Sequence, residues 1–243
     1  MLIWIGMDVI VLISIYLSSL LFNIQFEKEF KIEIQNAIKI QNKISSDFRS
    51  RVEYYNGDYE ICSALIFPEI IRFSIIRNKI ENIIVKTFYR LHGSKVSDLS
   101  VGLFQMKPSF IEKLEKEVLK YKELEQFFFI RNYPENSDIK TIRELRFDRL
   151  IELQWQIDYL ICFTKLMDLK HLNNTYELKL NNKKDKIALY SSAYNSGYWD
   201  DVEKIKYYQS KSFFPGGLKL YINKYNYSDI SVYYYENFIN KNN

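Results

Sequence analysis

The chain has 243 residues, a formal net charge of +4, 47% hydrophobic and 26% charged residues, which excludes a disordered chain and allows one well-filled core. The charge is too weak, and too evenly mixed along runs such as Glu112-Lys113-Leu114-Glu115-Lys116-Glu117, for a nucleic-acid footprint, so no nucleic-acid partner is expected. The 20 Tyr and 17 Phe accompany abundant Ile, Asn and Lys and only 7 Gly and 4 Pro, a bias that a low-GC genome produces by itself, so these rings are read first as core filling.

In chain order, the stretch from Met1 to Ile24 is apolar, and Asp8 is the only charge before Glu27. As a secretion signal it lacks a positive leader and an A-x-A-like cleavage site. As a membrane anchor, residues 1–24 are about long enough to cross a bilayer. A buried core helix is the third reading. Export by one of the first two routes is the expectation, placing the protein in the cell envelope, periplasmic or anchored facing the periplasm, with secretion as the variant. Glu27-Lys28-Glu29 carries both signs and does not orient the segment.

Beyond it the pattern is helical almost throughout. Ile32 to Arg51 predicts a helix, and Asn56-Gly57-Asp58 a turn in which Asp58 caps the next one. That next helix holds Ile61-Cys62-Ser63-Ala64-Leu65-Ile66-Phe67-Pro68-Glu69, an apolar run ending in a carboxylate. Ile75 to Leu91 repeats apolar residues at helical intervals, and Gly93-Ser94 ends it. Ser109 is the expected cap of a helix from Glu112 to Phe128. Asn132 to Asp138 reads as a loop, and Ile142 to Leu169 as one or two helices with Leu153, Ile157, Leu160, Ile161 and Thr164 on one face. Tyr176 to Leu180 alternates as a small strand or loop edge, Ile187 to Tyr194 as a short helix, and Pro215-Gly216-Gly217 as a turn before a final helix from about Leu218. The expected fold class is all-α or helix-dominated, one domain over 25–243, with an α+β lysozyme-like arrangement as the variant within it.

Cys62 and Cys162 are read as small buried hydrophobes. Neither has a histidine near it in sequence, and His92 and His171 lack metal-ligand spacing, so neither a cysteine nucleophile nor a zinc site is picked out and no metal is expected. Glu69 is the residue with chemical content. A carboxyl in apolar surroundings keeps its proton towards neutral pH, and a protonated carboxyl is what glycosidic bond cleavage needs as general acid.

Glu69, Ser100-Val101-Gly102-Leu103-Phe104-Gln105-Met106, Ala193-Tyr194-Asn195-Ser196-Gly197 and Tyr221-Ile222, in that order, together resemble the soluble-lytic-transglycosylase type of the lysozyme-like superfamily. That family carries a helix-borne Glu followed by Ser, then Gly-Leu-Met-Gln, Ala-Tyr-Asn-Ala-Gly and a closing Tyr-Val. The likeness spans about Glu60 to Asn226. Ile70 stands where the family has Ser, Phe104 where it has Met, Ser196 where it has Ala, and Gly217-Leu218 where it has Glu-Thr. The long interval between Glu69 and Gln105 leaves room for an inserted helix beside the cleft.

The resemblance implies a lysozyme-like domain acting on peptidoglycan glycan strands without a cofactor. Glu69 would be the catalytic acid and base. Ser100, Phe104, Gln105, Tyr194, Asn195 and Tyr221 would bind substrate, the two amides reading donors and acceptors on the sugar and Tyr221 holding the Glu69 rotamer. Glu69, Gln105, Tyr194, Asn195 and Tyr221 are expected around one groove. A water-using muramidase of goose type, an inactive glycan-binding or scaffold protein on the same fold, and a helical membrane-anchored assembly component remain as alternatives.

Overall fold

The computed structural model describes residues 21–75, 79–172, 182–197, 201–215 and 223–242. Among them helices α1 (Lys31–Tyr54), α2 (Tyr59–Ile75), α3 (Lys79–His92), α4 (Pro108–Glu117), α5 (Ile139–Ile151), α6 (Leu153–Met167), α7 (Lys183–Ser196), α8 (Val202–Gln209) and α9 (Tyr227–Tyr234) dominate. A small antiparallel pair, β1 (Ser212–Phe214) and β2 (Tyr225–Asn226), supplements them. The helix-dominated expectation is met.

The centre of the molecule is α2. Every residue from Ile61 to Ile71 is buried, as expected of a helix that is apolar on all sides. It packs on α1, α7 and α9. Asp58 starts it, its carboxylate accepting from the Ile61 N–H (3.1 Å). Pro68 lies within it without ending it. The second buried helix is α6, with Ile157, Leu160, Ile161 and Thr164 of the expected face in the core and Leu153 half-buried at its start. Cys62 and Cys162 are buried and unpaired thiols; burial pushes the Cys62 thiol up to about 12, so it stays protonated and inert.

A buried charged cluster joins the α4–α5 side. Arg146 donates from Nε to Glu115 Oε1 (3.0 Å), from Nη2 to Oε2 (2.6 Å) and from Nη1 to the Tyr89 hydroxyl (2.8 Å). Arg146 and Glu115 are 7% and 3% exposed, so each depends on the other to offset its lost hydration.

Residues 21–29 are helical and dock onto the domain. Phe22 and Phe26 stack (5.6 Å between ring centroids), Phe26 meets Tyr225 (5.3 Å) and Tyr233 (5.4 Å), and Phe30 meets Phe214 (5.7 Å). Glu29 accepts from the Tyr225 hydroxyl (2.7 Å) and Glu27 from the Tyr233 hydroxyl (2.7 Å). Residues 1–20 of the apolar segment lie outside the described residues, and no helix among those described is long and apolar enough to cross a membrane.

Some expectations need correction. Ser109 does not cap a long helix. It is the second residue of α4, and α4 stops at Glu117, where 3-10 turns over Val118–Lys120 and Lys122–Arg131 take over. The α4 start has no capping side chain of its own at Lys107. Asp98 supplies the acceptor instead, to Ser109 N (2.8 Å) and Ser109 Oγ (2.7 Å). The expected final helix from about Leu218 starts on residues outside those described; after them, Tyr225-Asn226 pair with β1 and α9 begins at Tyr227, capped by Asn226. The predicted 176–180 strand and the 216–217 turn lie outside the described residues.

Candidate active site

Glu69 sits in the final turns of α2, 3% exposed. Next to it opens a cavity of about 170 Å³ whose walls include Glu69, Arg72, Ser100, Gln105, Tyr194 and Asn195. Four of the five residues expected in a groove, with Ser100 beside them, therefore line one hollow, although they come from three separated stretches of chain.

Each wall has a local cause. Gly102-Leu103-Phe104-Gln105 forms a tight turn, closed by Val101 N–H to Met106 O (2.9 Å) and Met106 N–H to Val101 O (3.0 Å). Gly102 has φ +74, a region that glycine enters freely. A Cβ there would stand 2.4 Å from the Leu150 carbonyl oxygen, so the glycine also answers a close approach. Gln105 adopts φ +50, and its Nε2 donates back to Gly102 O (2.7 Å), which offsets the cost of a left-handed non-glycine residue. The buried Gln156 of α6 accepts from Phe104 N–H (2.7 Å) and pins the turn to the core.

The second wall is the end of α7. Tyr194 turns inward, 7% exposed, its ring against Phe110 (5.3 Å) and Phe163 (5.6 Å). Asn195 on the next position is exposed beside the cavity. Gly197, φ +127, ends the helix with its N–H on Ala193 O (2.8 Å).

Phe104 departs from its expected role. Its side chain is fully buried and packs on Phe48 (5.7 Å) instead of facing the cavity. The turn points this apolar residue down into the core, where it anchors its neighbour Gln105. Tyr221 lies outside the described residues. Among the described residues, Tyr227 at the start of α9 is a tyrosine close enough to influence Glu69, and its hydroxyl donates to Leu65 O (3.2 Å). With 20 tyrosines in the chain, no sequence signal separates Tyr227 from the others.

Arg72 was also missed. It lies one turn beyond Glu69 on the same helix face, and its Nη1 is 2.9 Å from both carboxylate oxygens, a pairing that the i, i+3 spacing makes legible. Asp98 and Lys107 complete the charged lining. Burial is the largest influence on Glu69 and raises its pKa; Arg72, Tyr227 and Lys107 act against it without overcoming it. Burial likewise holds the Tyr194 and Tyr227 hydroxyls protonated, with the Glu69 charge reinforcing both.

A larger hollow, about 470 Å³, lies among Arg49, Asp58, Glu60, Asp168, Lys183 and Lys186. Its charges satisfy each other, Lys183 with Glu60 (2.6 Å) and Asp58 (3.0 Å) and Lys186 with Asp168 (2.5 Å), which is how ordinary surface ion pairs behave. The smaller hollow holds a buried carboxyl whose proton affinity is raised, and is the better candidate. No family model, curated protein or solved structure matches the chain.

Proposed function

We propose that the chain is a lytic transglycosylase of the lysozyme-like superfamily, cleaving the β-1,4 bond between N-acetylmuramic acid and N-acetylglucosamine in peptidoglycan. The observation that carries this reading is the burial of Glu69 beside a cavity that Ser100, Gln105, Tyr194 and Asn195 also line. Protonated Glu69 gives its proton to the glycosidic oxygen as the C1–O bond breaks. The resulting carboxylate then takes the proton of the muramyl 6-hydroxyl as its oxygen bonds C1, which closes a 1,6-anhydro ring and restores the acid. Gln105 and Asn195 offer both amide donors and acceptors to acetamido and hydroxyl groups. Asp98 is not a second catalytic carboxylate in this scheme, since both its oxygens are engaged by Ser109. Cell-envelope placement through the N-terminal apolar segment belongs to the same proposal.

The test is incubation of the protein with purified sacculi and mass spectrometry of the products. Anhydro-muropeptides support the reading, products heavier by one water indicate a muramidase, and no release of fragments counts against both. A second reading, an inactive glycan-binding protein, is favoured by the Arg72 contact to both oxygens of Glu69, because a carboxylate so paired accepts hydrogen bonds and does not donate a proton. Binding of sacculi without cleavage would establish it.

A further inference from the structure

Arg72 is used in three directions at once. Its Nη1 lies 2.9 Å from each Glu69 oxygen, its Nε donates to the Pro215 carbonyl (3.0 Å), and its guanidinium lies over the rings of Phe214 (5.4 Å) and Tyr227 (5.9 Å). An arginine that merely neutralised a helix-surface carboxylate would swing freely in water. This one has its fork fixed by the strand end, and the Phe214 ring that underlies it is itself packed on Phe30 of the N-terminal stretch (5.7 Å).

We propose that Arg72 is the positioning residue of Glu69, clamped by Pro215 and Phe214 so that it holds the carboxyl rotamer and tunes its acidity. The proposal rests on the reading of Glu69 as the acid of the site. Glu69 is faced by Arg72 from its own helix, by Tyr227 from α9, by Tyr194 from α7, and by Lys107 from the segment before α4, with Asp98 on the same cavity wall. Tyr194 commits its proton to Phe104 O (2.8 Å) and Asp98 is held by Ser109. Among the described residues, Arg72 is thus the fixed cation in direct contact with both oxygens of the carboxyl. Burial favours the protonated form of Glu69. A clamped guanidinium in contact with both oxygens favours the ionised form, so it works in the direction that the later base step requires.

The experiment is a ¹³C NMR titration of the Glu69 side-chain carboxyl in the full-length chain in detergent micelles, assigned as the resonance absent from Glu69→Gln. The pH profile of kcat/KM on sacculi accompanies it. Arg72→Gln is expected to raise the Glu69 midpoint by about one to three pH units, the range for loss of an adjacent opposite charge, and to carry the alkaline limb of kcat/KM upward with it. Arg72→Lys keeps the charge but cannot hold Pro215 and Glu69 together, so its midpoint falls between the two and its kcat drops while KM stays near that of the natural chain. An unmoved midpoint in Arg72→Gln overturns the proposal, and so does an unchanged kcat in Arg72→Lys should Arg72→Gln fail to fold. The titration needs no substrate. A shifted midpoint in a chain that cuts no sacculi therefore supports the coupling while removing the enzymatic reading, and active enzyme with an unshifted midpoint does the reverse.

Discussion

The Tyr194 hydroxyl donates a 2.8 Å hydrogen bond to the Phe104 carbonyl across 90 residues of chain. This bond ties the end of α7 to the Gly102–Gln105 turn, and so fixes Asn195 and Gln105 on either side of the same cavity. Both atoms are buried, so neither has water as an alternative partner. Tyr194→Phe leaves the carbonyl without its donor and is expected to destabilise the fold by about 1–3 kcal/mol. Urea unfolding measures this, and cleavage of sacculi should fall further than the lost stability explains, because the two amides lose their fixed separation.

Gly102→Ala should be harsher than its size suggests. The position has φ +74, and the added methyl would meet the Leu150 carbonyl oxygen and Gln156 Nε2, both at 2.4 Å. Backbone oxygen cannot move aside cheaply, so a loss of about 2–4 kcal/mol is expected from the strained conformation and the overlap together. A lowered thermal midpoint would be the readout, with the fold otherwise retained.

Glu69→Gln preserves the shape of the carboxyl and removes its proton chemistry. Cleavage of sacculi should drop by about 10²- to 10⁴-fold, the usual contribution of a general acid, while circular dichroism stays that of the natural chain. Unchanged turnover would transfer the role to another residue.

Burial raises the pKa of Glu69, and two pH effects follow. The acid step needs the protonated form, so the rate should decline as pH climbs through the folded-state midpoint. For stability, a carboxyl whose folded midpoint lies above its unfolded one contributes fully below the unfolded midpoint, and loses that contribution as pH rises through the folded one. Glu69→Gln stays neutral throughout. Denaturant unfolding across acidic to neutral pH should show its stability gaining on that of the natural chain as pH increases.

The Arg146–Glu115 pair offers a test of the scaffold away from the cavity. Glu115→Ala leaves a guanidinium 7% exposed with its main partner gone, for an expected loss of about 3–5 kcal/mol. Replacing both, as Glu115→Leu with Arg146→Met, should cost much less. A double variant as unstable as the single one would show that the pair's attraction exceeds its desolvation.

Much of this architecture was legible in the residues. Asp58 as the cap of α2, the buried face of α6 through Ile157, Leu160 and Ile161, and the break at Gly93 (φ +78) all follow from short-range rules. The boundaries of α4 and α9 did not, because they depend on partners distant in sequence. Asp98 supplies the missing cap of α4, and the pairing of Tyr225-Asn226 with β1 sets where α9 starts. Phe104 was misplaced for a related reason. Its neighbours identify a segment, but whether a side chain in a turn faces cavity or core is decided by what the turn packs on, here Gln156 and Phe48.

By itself the sequence determined that this chain is helical, that its apolar Ile61–Phe67 run must be interior, and that Glu69 would be drawn in with it. These are matters of periodicity and hydration, which act locally. Tertiary structure alone decided what surrounds that carboxyl: Arg72 locked by Pro215, Tyr227 from the far end of the chain, and Gln105 brought across from Asn195. Proton affinity and hydrogen-bond reach depend on distances between residues that chain order leaves free, and only packing sets those distances.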